Sequence, residues 1–275
     1  MSRSLLLVGT GLVGGSFALA ARRAGLFDRV LGMDASTEAI AEAQAHGVID
    51  AEATQTLGDV AGICVAVPVA AIAQMVRYAD ARLPGVPVFD VGSVKKPVLE
   101  ALAPEPPPSF VPCHPIAGSE RQGAAAADGA MFRGARVVLT PTEETDPEAL
   151  ATVQRWWQAV GAETVTEDAA VHDDLLAVTS HVPHLVAFAL MRLADDAGAL
   201  GHVGGGFRDF TRIAGADPDV WSQILAANSG AVTRRLSELS ERLAELASAT
   251  RKDPQTLRAA IAEASRIRRG LDAER

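Results

Sequence analysis

Three stretches of this 275-residue chain carry side chains suited to chemistry. The first is CHPIAGSE, Cys113–Glu120, where a histidine ahead of a proline is followed by small residues and a carboxylate. Such a stretch makes a poor helix and a poor strand, and His114 reads either as a satisfied surface or core residue or, because imidazole changes charge near neutral pH, as a candidate general base. The second is SHVPHLVAFAL. Here His181 and His184 stand three apart and share a helical face, and His172, nine residues earlier, returns to a similar azimuth. Three histidines on one face of an apolar helix are costly unless hydrogen-bonded, so they read as a polar pocket. No third ligand is spaced for a metal, and none is expected. The third stretch is GGGFRDFTRIAGADPDVW, Gly204–Trp221. Its Arg208 and Arg212 are candidates for bidentate contact with a carboxylate, and Asp209 is a candidate ion-pair partner. The net charge of −9 adds weight to them, because an anionic ligand must then be held by a local positive cluster.

A cofactor motif stands at the start. In SLLLVGTGLVGGSFALAARRAGL, the apolar run Leu5–Val8 reads as a buried strand, a glycine turn follows, and then a small-residue helix. Gly9, Gly11 and Gly14 form G-x-G-x-x-G in the strand–turn–helix context that the dinucleotide motif requires. Gly9 permits the tight turn, Gly11 lets backbone approach a pyrophosphate, and Gly14 lets helix pack on strand. Leu12 and Val13 fall at the helix N-terminus, where unpaired N–H groups favour phosphate. RVLGMD ends in Asp34, about 20 residues beyond the glycines, where a carboxylate accepts from ribose hydroxyls and repels a 2′-phosphate. ASTE follows without an arginine, which selects NAD over NADP.

These groups need elements to place them. STEAIAEAQAHG reads as a helix capped by Ser36 and stopped at Gly47. AGICVAVP is a strand ended by Pro68, and VPVFDVGSVKKPV gives a strand, a glycine turn and a short helix. SFVPCHP and ARVVLTP are two more strands, and DPEALATVQRWWQAVGAE is a further helix. Strands alternating with helices mean a doubly wound, Rossmann-like parallel sheet whose ligands sit beyond the strands' carboxyl ends. TGLVGGS, Val67–Pro68, the Gly92–Ser93 turn of DVGSVKK and CHPIAGSE all fall at that edge. APEPPPS reads as a loop within the domain. Past residue 167 strand signals fade, and EDAAVHDDLLAVTSHVPHLVAFALMRLADDAG reads as one long apolar helix kinked by Pro183. The expected domains are therefore 1–167, which binds a dinucleotide, and 168–275, which is all-helical. Leucines at helical spacing from Asn228 to Arg269 point to a packing or subunit face.

Composition sets limits. The chain is 48% apolar and 21% charged, as suits a globular protein of two domains. No basic stripe offers itself to nucleic acid. No apolar run reaches the ~18–20 residues of a membrane span, and MSRSLLLVGTG lacks a signal peptide's pattern, so a soluble, cytoplasmic protein is expected. Cys64 and Cys113 read as reduced, buried thiols.

Together, VGTGLVGGS, DVGSVK, HPIAGSE, SHVPHLVAFAL and GGGFRDFTRIAGADPDVW resemble the prephenate dehydrogenases, the cyclohexadienyl dehydrogenases of tyrosine biosynthesis. The match runs in order from the first strand to about Trp221. The resemblance implies NAD- or NADP-dependent oxidation of prephenate with loss of carbon dioxide, giving 4-hydroxyphenylpyruvate. It also implies a homodimer formed through the helical domain. By the same resemblance, His114 bonds the substrate's ring hydroxyl beside Ser93, and Glu120 lies near the mouth of the site. His172, His181 and His184 match the helical domain's histidines. Arg212 holds the substrate, and Trp221 is an aromatic contributed by the dimer partner. Gly9, Gly11, Gly14 and Asp34 match the cofactor positions, and the set taken for the cofactor also includes Leu12, Val13, Val67, Pro68 and Gly92.

On this reading hydride leaves the hydroxyl-bearing carbon and His114 takes the hydroxyl proton, with Ser93 fixing its tautomer or holding the same hydroxyl. Arg212 takes the ring carboxylate. Arogenate, with an amino group in place of the keto group, stays open as the substrate. A β-hydroxyacid dehydrogenase or imine reductase fits less well, because the helix offers histidines and no lysine. A silent NAD-binding module would not need these residues.

Overall fold

Leu5–Val8 is apolar without alternation, as suits a strand covered on both faces, and it forms β1 (Ser4–Val8), buried throughout. The computed structural model describes residues 3–54, 57–118 and 121–273. From β1 the chain runs through α1 (Leu12–Arg23), β2 (Arg29–Met33), α2 (Thr37–Ala45), β3 (Ala51–Glu52) and β4 (Val60–Val65). α3 (Val69–Arg82), β5 (Val88–Asp90), α4 (Lys96–Leu102) and β6 (Phe110–Val111) complete the main layer. Ser36 caps α2 by accepting the Ala39 N–H at 3.1 Å, and Gly47 takes the positive φ (+67°) that ends it. The sheet order is β3-β2-β1-β4-β5-β6, all parallel. Strand order reverses between β1 and β4, which places a ligand crevice at their carboxyl ends. Apolar clusters pack both faces, one around Phe17, Phe89 and Trp157 and the other around Ile63, Ile72 and Val76.

The structure corrects the expectation of one continuous strand over SFVPCHP. Pro112 has no N–H for a ladder, and its carbonyl accepts from Thr140 N at 2.9 Å. The chain therefore leaves the main sheet after β6. β7 (Cys113–Pro115) joins a second sheet with β8 (Arg136–Leu139) and, after α5 (Pro147–Ala159), β9 (Glu163–Thr166). β7 pairs antiparallel with β8, His114 opposite Val138, and β8 pairs parallel with β9. ARVVLTP thus belongs to this three-stranded sheet and not to the parallel one. β3 and β9 went unanticipated, because two residues give no pattern and ETVT is half polar.

After β9 the described chain is helical. α6 (Ala169–Leu176) passes through a π-helical turn, Ala177–His181, into α7 (Val182–Asp196). The single helix is present, but a widened turn precedes Pro183, which falls in the first turn of α7. There its missing N–H and bulky ring are tolerated. The run Ala169–Asp196 also corrects the expectation that no segment matches a membrane span. An 18-residue window within it has a mean hydropathy of 1.4, so by length and composition alone it could cross a bilayer. α8 (Gly205–Thr211) and α9 (Pro218–Ala227) follow, then α10 (Ser229–Lys252) and α11 (Pro254–Ala273). The described chain divides into two compact units, Met1–Ser229 and Gly230–Arg275. The second consists of most of α10 together with α11. Asp253 caps α11 by accepting from Gln255 N and Thr256 N, and Leu243, Ile261, Ile267 and Leu271 are exposed.

Candidate active site

The glycine turn does what its spacing predicts. Gly9 has φ +90°, and a Cβ on it would lie 2.3 Å from the Ala66 carbonyl oxygen. A Cβ on Gly14 would meet Ala66 Cβ at 2.6 Å and Leu7 Cδ1 at 2.9 Å. Around Gly11, by contrast, nothing lies within 4 Å of such an atom, so the backbone is open to a ligand. Gly11 starts α1 with no side-chain cap, which leaves the first helical N–H groups for an anion. Asp34 Oδ2 accepts from Thr10 N at 2.8 Å and Thr10 Oγ1 at 3.0 Å, while Oδ1 accepts from Ser36 N at 3.1 Å. These bonds fix the carboxylate at the turn and leave one lone pair, on Oδ1, for a ribose hydroxyl.

A cleft of about 360 Å³ opens beside this turn. Its walls include Gly11, Leu12 and Val13, then Val67 and Pro68 after β4, Gly92 and Ser93 after β5, and Trp221 on α9. Arg121 and Gln122 also line it, and Gln122 Nε2 donates to Asp217 Oδ2 at 2.6 Å. Gly92 serves packing too: a Cβ there would sit 2.5 Å from Ile72 Cδ1 and 2.9 Å from Asp90 Oδ2.

A buried chain of hydrogen bonds links β7 to α6. His114 on β7 is 9% exposed, and its Nδ1 lies 2.9 Å from His172 Nε2. His172 Nδ1 lies 2.7 Å from Asp173 Oδ1. The Asp173 carboxylate also accepts from Lys95 N and Lys96 N, both at 2.9 Å. A carboxylate only accepts, so His172 carries its proton on Nδ1 and presents a lone pair at Nε2. His114 must then donate from Nδ1, which leaves its Nε2 as an acceptor. Burial, aided by the Lys95 charge and by the cost of placing a second positive charge beside His172 and His181, holds its pKa well below the ordinary 6.5, so the ring is a neutral base at pH 7. The tautomer is thus set by His172, which corrects the first of the two roles expected of Ser93.

His181 is buried at the π-helical turn. Asn228 Nδ2 donates to the Asp173 carbonyl at 2.7 Å and to His181 Nδ1 at 3.1 Å, which puts the His181 proton on Nε2. Burial lowers its pKa to about 4, against an opposing pull from Asp173. His184 is half-buried. Its Nδ1 donates to the Ser180 carbonyl at 2.9 Å, and its ring stacks on Trp221 with centroids 3.4 Å apart. Burial lowers its pKa, the Ser180 bond opposes that, and the Arg212 charge lowers it further. Arg212 is exposed on a 3₁₀ turn packed against α7. The three helical histidines therefore separate: His172 joins the base, His181 is a buried link, and only His184 lies at the rim with Arg212. Trp221 stacks on His184 of its own chain. Glu120 lies outside the described residues.

The sequence reading missed Asp90, Lys95, Asp173 and Asn228. Asp173 had a signal, standing next to a histidine on an apolar helix. Asp90 and Lys95 flank the DVGSVK turn, where charges in an apolar strand end ask for partners. Asn228 offered none. Among the described residues no cluster is suited to a metal ion.

Comparison with known proteins follows this geometry. The family profile "Prephenate dehydrogenase, nucleotide-binding domain" matches residues 17–166, and "Prephenate dehydrogenase, dimerization domain" matches residues 168–263. The chain is 34% identical over 253 residues to the prephenate dehydrogenase of Bacillus subtilis (strain 168), covering 86% of this chain and 67% of the relative. Its structure resembles that of A. aeolicus prephenate dehydrogenase in complex with hydroxyphenyl propionate and NAD+. The TM-score is 0.91 at 31% identity, over 98% of this chain and 99% of that one. Synechocystis arogenate dehydrogenase gives a TM-score of 0.78 at 26% identity, over 98% and 99% of the two chains.

Proposed function

The chain belongs to the prephenate dehydrogenase family, and from that premise we propose that it converts prephenate to 4-hydroxyphenylpyruvate and carbon dioxide, with hydride transfer to NAD. The observation that carries this reading is the Asp173–His172–His114 chain, which holds a neutral imidazole ready to accept a proton. NAD, when bound, supplies the hydride acceptor. The open backbone at Gly11, the α1 N-terminus and Asp34 would hold it, with Leu12, Val13, Val67, Pro68 and Gly92 walling the cleft.

The chain's own residues then divide the work. His114 Nε2 takes the proton of the ring hydroxyl as positive charge develops on its carbon. His172 and Asp173 stabilise the resulting imidazolium without moving. Arg212 holds the ring carboxylate, and His184, stacked on Trp221, meets the substrate's side chain. Ser93 bonds the same hydroxyl from the cleft wall, and His181 backs His184. Loss of carbon dioxide completes an aromatic ring, so alignment is most of what the protein must provide.

The working domains on this reading are 1–167 for the dinucleotide and 168–275 for substrate and dimerisation. Val171, Leu175, Val178 and Leu193 are exposed along the apolar helix, and a second copy of the chain would cover them. The homodimer works in the cytoplasm, in tyrosine biosynthesis.

A second reading, arogenate, rests on one observation. With Nδ1 bonded to the Ser180 carbonyl, neutral His184 presents an acceptor, which suits an ammonium group. The test mixes purified protein with NAD and either prephenate or arogenate and follows absorbance of reduced nicotinamide. Turnover with prephenate supports the main reading, and turnover with arogenate alone transfers it to the amino substrate. Activity with neither, under NAD or NADP, overturns both.

A further inference from the structure

Lys95 and Asp90 form an ion pair with both side chains fully buried. Burying two charges costs more than a surface pair returns unless further hydrogen bonds satisfy them. Here those bonds converge on one place. Asp90 Oδ2 accepts from Lys95 Nζ and from Gly92 N at 2.9 Å, while Oδ1 accepts from Cys113 N at 2.9 Å. Lys95 Nζ donates in addition to the Cys113 carbonyl at 2.7 Å. The pair thus grips both backbone polar groups of Cys113, and the gripped carbonyl belongs to the peptide unit that carries the His114 N–H. The main chain of Lys95 does a second job, because its N–H holds the Asp173 carboxylate that orients His172.

From this convergence we propose that Lys95, paired with Asp90, is the positioning residue for His114: its side chain fixes the strand that carries the base, and its amide fixes the far end of the hydrogen-bond chain that orients it. Lys95 touches no reacting atom in this scheme. A buried pair that served only stability would be replaceable by apolar groups of similar volume at little loss. A positioning pair is not, because a base displaced by about 1 Å costs on the order of 10²-fold in rate.

The inference rests on the dehydrogenase reading above, so the wild-type enzyme is assayed first. Absent activity there would refute that reading and not this one. The test variant is Asp90→Asn/Lys95→Met, which removes both charges at near-constant volume and so avoids leaving one buried alone. The expected result is a protein that melts near the wild-type temperature, binds NADH unchanged and keeps its substrate KM within a few-fold, with kcat lowered ~10²-fold. Asp90→Asn/Lys95→Gln, which also leaves no charge buried alone, retains a donor for the Cys113 carbonyl and should recover part of that kcat. A folded double variant with kcat within threefold of wild type overturns the proposal. So does loss of folding in both variants, which would make the pair a structural element only.

Discussion

The two ends of the site are built on opposite principles. At the inner end, His114, His172, Asp173 and Lys95 are buried, and hydrogen bonds join them to one another, to Asp90 and to the Cys113 backbone. At the rim, Arg212 is exposed, and His184 is held by one backbone bond and the face of Trp221. Low dielectric makes the inner bonds strong and an unpaired group there costly, so that end is fixed before substrate arrives. The rim keeps the Arg212 guanidinium exposed, where a carboxylate can reach it. The contrast implies that inner substitutions lower kcat and rim substitutions raise KM.

The sharpest way to break that contrast is His114→Asn. Turnover should fall about 10²–10⁴-fold with NADH affinity retained, measured by steady-state kinetics beside NADH fluorescence titration. A near-native kcat would remove His114 as the base. Next comes Asp173→Asn. The amide cannot accept from Lys95 N, Lys96 N and His172 Nδ1 together, so one of those donors is stranded. Hydrogen bonds to charged groups contribute roughly 1.5–3 kcal/mol, so kcat should drop about 10–100-fold with a lower melting temperature. A change confined to KM would place Asp173 with the rim.

Arg212→Ala tests the other end. Loss of a charge-assisted contact should raise the substrate KM by about 10–100-fold while kcat changes far less. An unchanged KM would shift the anion site towards Arg208. Trp221→Phe should have a smaller effect, about 2–10-fold in KM, in line with the ~0.5–1.5 kcal/mol of an aromatic stack.

pH distinguishes the two ends more gently. Since His114 is held well below the usual 6.5, kcat/KM should stay flat as pH falls through 6.5 and decline only well below it. A decline centred at the ordinary value would mean that the ring is solvated. Stability behaves differently. His181, lowered to about 4 chiefly by burial, is neutral in the folded chain between about 4 and 6.5 but protonated in the unfolded one. The unfolded state then binds more protons, so stability is lost as pH drops through that window. Thermal melts at pH 7 and pH 4.5 measure the difference.

Local rules governed what could be read directly. The strand Leu5–Val8, the glycine turn, Ser36 as a cap, Gly47 as a stop and the helical spacing of His181 and His184 all depend on a few neighbouring residues, and their physical meaning is complete within that span. The motif stretches likewise carried the family, because residue types and order suffice for that. What the sequence alone did not decide was which groups face one another across elements far apart in the chain. Nothing local says that Pro112 sends β7 into a second sheet, that His172 points at His114 58 residues away, or that Asp173 caps the start of α4. The partner of Lys95 was equally hidden, since a lysine in a turn looks solvated until the fold buries it. Such pairings arise because a buried polar group must find a partner wherever the packed chain provides one. That choice belongs to the tertiary structure.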